Sequence, residues 1–244
     1  MAVIIDKKSQ ETEETEEPKS SENSLELKLG PNKSVGISPW KAKAKKEFVK
    51  IFKAKGDKVT EKDVLDILVY PYIDDIKQFY SSAELQYIMT KIREISIKDR
   101  DVNFTIECST CKEDIDVDMD IYDLVHYKET LIPTIKENIE WVDPESSDII
   151  EKTLLDNEEE PPDVIMLGLN IKSINGQEIK NIEEFLEIYD ELDMNEISKI
   201  ENTWKEITPS FSIYSTLKCD KCENSNEYYF DIIPGFFDPL LPKN

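Results

Sequence analysis

The sequence predicts an α+β fold: a helical core with an N-terminal β-hairpin, and two Cys-x-x-Cys β-hairpins joined as a zinc-ribbon-like site. Three observations carry that expectation. Apolar residues alternate with period two in short runs around turns, they recur near period 3.6 over longer runs, and all four cysteines fall in two Cys-x-x-Cys pairs inside alternating segments.

Residues 1–23 are expected to be a disordered acidic tail, because from 6 to 24 the side chains are polar or charged and offer nothing apolar to offset the entropy of ordering. Residues 24–244 are expected to form a single α+β domain. It begins with a hairpin, where Leu25, Leu27 and Leu29 alternate, Gly30-Pro31-Asn32 turns, and Val35 and Ile37 alternate again.

A helix follows over 40–54, with Trp40, Ala44, Phe48, Ile51 and Phe52 on one face. Eight lysines lie from Lys41 to Lys58 against only Glu47 and Asp57. Lys43, Lys46 and Lys50 are therefore read either as a solvated face or as a docking surface for an acidic partner. Thr60 opens a second helix, with Val64, Leu65 and Leu68 on one face and Pro71 as its stop. The clearest helix spans 82–95, where Ser81 and Glu84 have capping-box spacing and Leu85, Ile88, Met89, Ile92 and Ile95 form one apolar stripe.

Residues 143–163, rich in Glu, Asp, Ser and Pro, are expected as an exposed acidic loop or insertion. The apolar run 164–174 ends in Asn175-Gly176, which suits a helix C-terminus or a hairpin turn; the helix is the preferred reading. Asn181 with Glu184 and Asp193 with Glu196 are two further cap pairs, and they introduce two helices expected to pack face to face.

The two cysteine pairs are Cys108-Ser109-Thr110-Cys111 and Cys219-Asp220-Lys221-Cys222. Val102, Phe104 and Ile106 alternate before the first, and Ile115, Val117 and Met119 after it. Phe211, Ile213 and Leu217 precede the second, and Tyr228, Phe230 and Ile232 follow. Each pair thus falls at the turn of a hairpin, within 102–121 and 211–233, and two such turns supply four thiolates for one tetrahedral zinc ion. Ribbons of this kind usually separate the pairs by roughly 15 to 20 residues. Here 107 residues separate Cys111 from Cys219, so the helical segment is inserted into the ribbon. A thioredoxin-like dithiol fits less well, because that motif joins a strand to a helix.

Fifty-three acidic residues against 30 basic ones give a net charge of −23, which opposes direct binding of nucleic acid or anionic membrane. No apolar run suits a signal peptide or a membrane span, so a cytosolic location is expected, where cysteines are thiols or metal ligands. Nucleophile–base chemistry has no evident residues: His126 is the only histidine. Asp114, Asp116, Asp118 and Asp120 depart from a calcium loop, with Met119 where glycine is needed and Val125 where glutamate is needed. They read as the wet face of a half-buried strand. Phe236 and Phe237, between Pro234 and Pro239 near the end of the chain, are read as aromatics for docking a partner or for packing at home.

The segment Ser82-Ala83-Glu84-Leu85-Gln86-Tyr87-Ile88-Met89-Thr90-Lys91-Ile92-Arg93-Glu94-Ile95-Ser96, with the strands to Cys108 and Asp120 after it, is similar to baseplate hub and hub-assembly proteins of T-even-like, contractile-tailed bacteriophages. The early hairpin ending Ser38-Pro39-Trp40, the 171–176 segment, the helices leading to Trp204, Pro209, the second cysteine pair and Pro234-Gly235-Phe236-Phe237 agree in order, so the resemblance spans 24–238. It implies a non-enzymatic role in building the baseplate hub, as a component or as an assembly chaperone, with other tail proteins as partners. The expected location is the host cytoplasm during assembly, with the virion tail as a second site. The acidic tail and the 143–163 segment look longer than this pattern requires. A zinc-ribbon regulator of nucleic acid or of the transcription machinery is the rival reading, and the lysine-rich helix is its main support.

Overall fold

The computed structural model describes residues 24–144 and 146–230, together with Phe236, Phe237 and Leu240. The tail expected at 1–23 lies outside the described residues. Strands β1 (Leu25–Gly30) and β2 (Lys33–Ile37) pair antiparallel with Leu27 opposite Val35, and the alternation turns Leu27, Leu29, Val35 and Ile37 inward. Helix α1 (Ala42–Lys55) buries Ala44 and Phe48 in the same apolar cluster as that hairpin. Helix α2 (Glu61–Leu68) starts at a capping box between Thr60 and Asp63, and α3 (Ser82–Ser96) at the one read from Ser81 and Glu84.

The chain then forms the first cysteine hairpin, β3 (Asp101–Glu107) with β4 (Asp114–Asp120), in which Asp114, Asp116 and Asp118 point to solvent while Val117 is buried. Three short strands follow: β5 (Val125–Lys128), β6 (Thr134–Lys136) and β7 (Ile139–Trp141). Helices α4 (Ser147–Asp156) and α5 (Pro162–Leu169) lead into the hairpin of β8 (Ile171–Ile174) and β9 (Gln177–Glu178). Helices α6 (Ile182–Glu191) and α7 (Met194–Ile207) precede the second cysteine hairpin, β10 (Ser210–Lys218) with β11 (Ser225–Tyr229). The architecture is α+β, with four small sheets: β1-β2, β3-β4, β11-β10-β5 and β6-β7-β8-β9.

Two readings of the middle of the chain are corrected. The segment 143–163 is not all loop: Ser146 caps α4 by accepting from the Ile149 N–H, and Ile150 is buried beneath the helix. Its acidic residues had masked a short amphipathic helix. The run 164–174 is not one helix either. It ends α5 at Leu169 and continues as β8, and Asn175 and Gly176, at φ of 51° and 80°, form the tight turn into β9. The second cysteine hairpin also gains a third strand, because β5 pairs with β10 from Ser210↔Lys128 to Ile213↔Val125.

The apolar interior has three clusters. The first gathers β1, β2, α1, α2 and α3; the second gathers β7 and β8 with α5, α6 and α7 around Trp141 and Phe185. The apolar faces of α6 and α7 both enter that second cluster, but the direct neighbour of α6 is α5, not α7 as expected. Gly168 permits this approach, since a Cβ there would stand 2.5 Å from the Phe185 ring and 2.6 Å from Ile182. The third cluster joins β3, β4 and β10 through Val102, Ile121, Leu124, Ile213 and Phe236.

Helix α3 ties these clusters together. At its start Glu84 both caps the helix and takes the Lys33 ammonium at 3.0 Å, in a pocket where Lys33 also reaches Asp143 at 3.2 Å and lies over the Phe79 and Tyr80 rings. Near its end the buried Arg93 donates to the Phe236 carbonyl and to the Tyr122 hydroxyl, each at 3.0 Å, and its guanidinium lies over both rings. Phe236 is only 3% exposed, and Phe237 packs on Phe48 with ring centroids 5.0 Å apart. Both aromatics pack within the chain: the Arg93 side chain holds the Phe236 backbone against the third cluster.

Two outcomes follow. Phe236→Ala should lower stability by about 3–5 kcal/mol in urea denaturation, as for a fully packed phenylalanine, whereas Phe52→Ala, at an exposed site, should cost far less. Lys55 and then Thr60 hydrogen-bond the Asp63 carboxylate and lower its pKa from 3.8 to about 2. Because the folded value lies below the unfolded one, its stabilisation is full above the unfolded value and is lost as pH falls through about 2. Asp63→Asn should thus lower Tm by a steady amount above about pH 5 and by almost nothing near pH 2.

Candidate metal centre

The two cysteine turns are built alike. In the first, the Cys108 N–H donates to the Glu113 carbonyl at 2.8 Å and the Lys112 N–H returns to the Cys108 carbonyl at 2.9 Å. In the second, the Cys219 N–H donates to Asn224 at 2.9 Å and the Glu223 N–H returns to Cys219 at 2.8 Å. Each chain reverses through a left-handed residue directly after its second cysteine, Lys112 at φ 65° and Glu223 at φ 60°. Those two residues escaped the sequence reading because glycine, the usual signal for that conformation, stands at neither position.

The hairpins bring all four sulfurs together, every Sγ within 4.8 Å of the others. Across the hairpins Cys108 lies 3.8 Å from Cys222, and Cys111 lies 3.6 Å from Cys219. A tetrahedron with metal–sulfur bonds of about 2.3 Å has edges of about 3.8 Å, so the four thiols fit the donor set of a single ion. Cys108 and Cys219 are buried, while Cys111 and Cys222 are partly covered.

Their protonation conflicts without a cation. The backbone N–H of Cys111, and then that of Thr110, lowers the Cys108 thiol to about 6 against the opposing effect of burial. At Cys111 the Glu113 N–H favours the thiolate, yet burial and the three neighbouring sulfurs outweigh it and push the thiol up to about 12. Cys222 is raised as well: the Asn224 N–H opposes this, but burial and the sulfurs of Cys108 and Cys219 prevail. Sulfurs this close do not all ionise unaided, and a divalent cation removes that repulsion.

The surroundings join the two turns a second time. The Ser109 N–H donates to the Tyr228 hydroxyl of the other hairpin at 3.2 Å, a partner that no sequence spacing would reveal. Phe104 meets Phe230 edge-on at 5.5 Å beneath. Lys221 lies 3.7 Å from Glu113 across the hairpins, an exposed pair of small energetic weight.

The remaining candidates lie elsewhere. Lys43, Lys46 and Lys50 are exposed on α1, away from the sulfurs in sequence and in packing. His126 is exposed on β5, stacked on Tyr214 with centroids 3.9 Å apart and with its Nε2 3.3 Å from the Tyr214 carbonyl; it has no part in the thiol cluster. A cavity of about 290 Å³ has a mainly apolar lining that includes Val64, Leu65, Met89, Ile213 and Phe236. Among the described residues no helix is long and apolar enough to cross a membrane.

Comparison with known proteins gives one family. No curated protein and no solved structure matches the chain. The family model described as T4 bacteriophage base plate protein matches residues 21–238, from before β1 through Phe236 and Phe237 and including both cysteine turns. With most of its length matched, the chain belongs to the T4 bacteriophage base plate protein family.

Proposed function

We propose that this chain is a non-enzymatic baseplate hub assembly protein, a hub component or an assembly chaperone, with one structural zinc ion held by Cys108, Cys111, Cys219 and Cys222. The observation that carries the reading is the convergence of four thiols from two distant turns within a chain matched to the base plate family over residues 21–238. Four sulfur ligands complete a tetrahedral zinc site and leave no position for water, which suits folding rather than catalysis. Two ligands from each of two hairpins make the arrangement zinc-ribbon-like. Zinc bound there would neutralise the thiolates and fasten β3-β4 to β10-β11; the chain's own part is to present the four sulfurs on two stiff turns.

The partners in this reading are other hub and tail proteins. Assembly takes place in the host cytoplasm, and a component would persist in the virion tail. A net charge of −23 disfavours free nucleic acid and anionic membrane as partners.

Purified protein should retain about one equivalent of zinc at neutral pH, and cobalt should replace it with the absorption of tetrahedral thiolate coordination. Cys108→Ser and Cys219→Ser should each release the metal and lower stability by on the order of 5 kcal/mol, with both hairpins losing hydrogen-exchange protection together. Retention of no metal after dialysis, or loss of protection in one hairpin alone, would sink the shared ion. A phage lacking the gene should make few or no infectious particles and accumulate hub intermediates, restored by the gene in trans. Mass spectrometry of purified particles then separates component from chaperone. Normal particle yield without the gene would overturn the assembly role.

A further inference from the structure

Helix α1 is built against its own stability. Its N-cap is Lys41, which makes no side-chain cap hydrogen bond, and its first turn holds no acidic residue, whereas α2, α3, α6 and α7 each have a capping side chain and an acid there. Lysines at the positive end of a helix oppose its dipole. Lys43, Lys46, Lys50 and Lys53 then follow at spacings of three, four and three, so like charges stand one turn apart along a single face, an arrangement that weakens a helix. That face is opposite Ala44 and Phe48, which are buried in the first cluster. All four lysines are exposed. Lys43 has only the exposed Glu47 at 3.6 Å, and Lys46, Lys50 and Lys53 make no ion pair with any described residue. A chain with 53 acidic residues could have placed several carboxylates among them, yet of the acids in α1 only Glu47 stands there. Sequences that contradict their local structure in this way do so where function demands it.

We propose that the outward face of α1, carrying Lys43, Lys46, Lys50 and Lys53, docks an acidic helix of another protein, one with Asp or Glu repeating at the same three- and four-residue spacing. Charge complementarity chooses the occupant. The stripe runs about 15 Å along the helix axis, while the chain as a whole carries a net charge of −23, so an occupant must confine its negative charge to about that length. A protein segment can do that. A nucleic acid is charged along its whole length and would meet the repulsion of the net charge of −23. That the partner is another tail protein rests on the baseplate reading; the surface itself does not.

The test uses the full-length chain and a fluorescent helical peptide with glutamates at i, i+3, i+7 and i+10. Binding should weaken about tenfold or more between 50 and 200 mM salt. It should fall at least about tenfold in the variant K43E/K46E/K50E/K53E, with circular dichroism and Tm matching the parent as the check that α1 is kept; K43Q/K46Q/K50Q/K53Q should lose less. Equal binding by parent and glutamate variant overturns the proposal, as does tighter binding of a duplex DNA of matched length than of the peptide. In phage, the glutamate variant should cut particle yield, with suppressors that turn Asp or Glu into Lys in another tail gene. If the peptide binds as expected but the gene proves dispensable, the docking face stands and the baseplate role falls.

Discussion

The meeting of Cys108, Cys111, Cys219 and Cys222 is the constraint on which the rest of the architecture depends, because it joins points separated by 107 residues. Everything from β5 to α7 is strung between the two turns. Joining two hairpins across so long an insertion is less costly than it looks. Loop-closure entropy grows with the logarithm of length, so the step from about 17 to 107 residues adds only about 1.6 kcal/mol. The inserted segment repays this by forming a core of its own around Trp141, Phe185 and Ile200, and the closed loop is therefore a packed body and not a slack chain.

Two buried polar knots on α3 complement the sulfurs. Glu84, 1% exposed, serves Ser81 as a helix cap and Lys33 as a counter-ion, so one carboxylate fixes both the start of α3 and its distance from the first hairpin. Asp143 reaches the same ammonium from the far side of β7, which links the first cluster to the second. Arg93 performs the corresponding task for the third cluster through Tyr122 and the Phe236 carbonyl. Such groups add little net stability when complete, yet removing one partner of a buried ion pair costs about 3–5 kcal/mol, so they specify arrangement more than they strengthen it. The ties lie at both ends of a single helix, and α3 thereby sets how the clusters meet.

Much of this was legible in the sequence because it is local. Capping residues at Thr60, Ser81, Asn181 and Asp193 fixed four helix starts, since each satisfies a backbone N–H within three residues of itself. The cysteine hairpins were legible from alternation, and so was the wet face of β4. What escaped was decided at a distance. Strand β5 has only four residues, and it becomes a strand because β10 supplies its hydrogen bonds 82 positions away at Ser210↔Lys128. The run 164–174 has continuous apolar character, which does not distinguish a buried helix from a buried strand; the break at Leu169 is set by β7, which pairs with β8. Phe236 resembled an exposed terminal aromatic until Arg93, 143 residues earlier, reached its carbonyl. At the candidate site the four ligands were readable, whereas Tyr228 and the left-handed Lys112 and Glu223 were not, because their roles arise from the folded turn and not from residue type.

The distribution of charge follows from the same division between inside and outside. The internal ties are made by a few groups: four thiols, Lys33 with two carboxylates, and one arginine. Most of the described acids are exposed on the surface, where their charge keeps copies of the chain apart in solution. Against that background a positive helix face is conspicuous electrostatically, since screening confines each charge to its neighbourhood and lets a local patch differ in sign from the whole. The interior fixes one rigid shape, and the exterior repels indiscriminate contacts. On the docking proposal, selectivity resides where the surface departs from its own average, at α1, held on the first core by Ala44 and Phe48 and steadied there by Phe237.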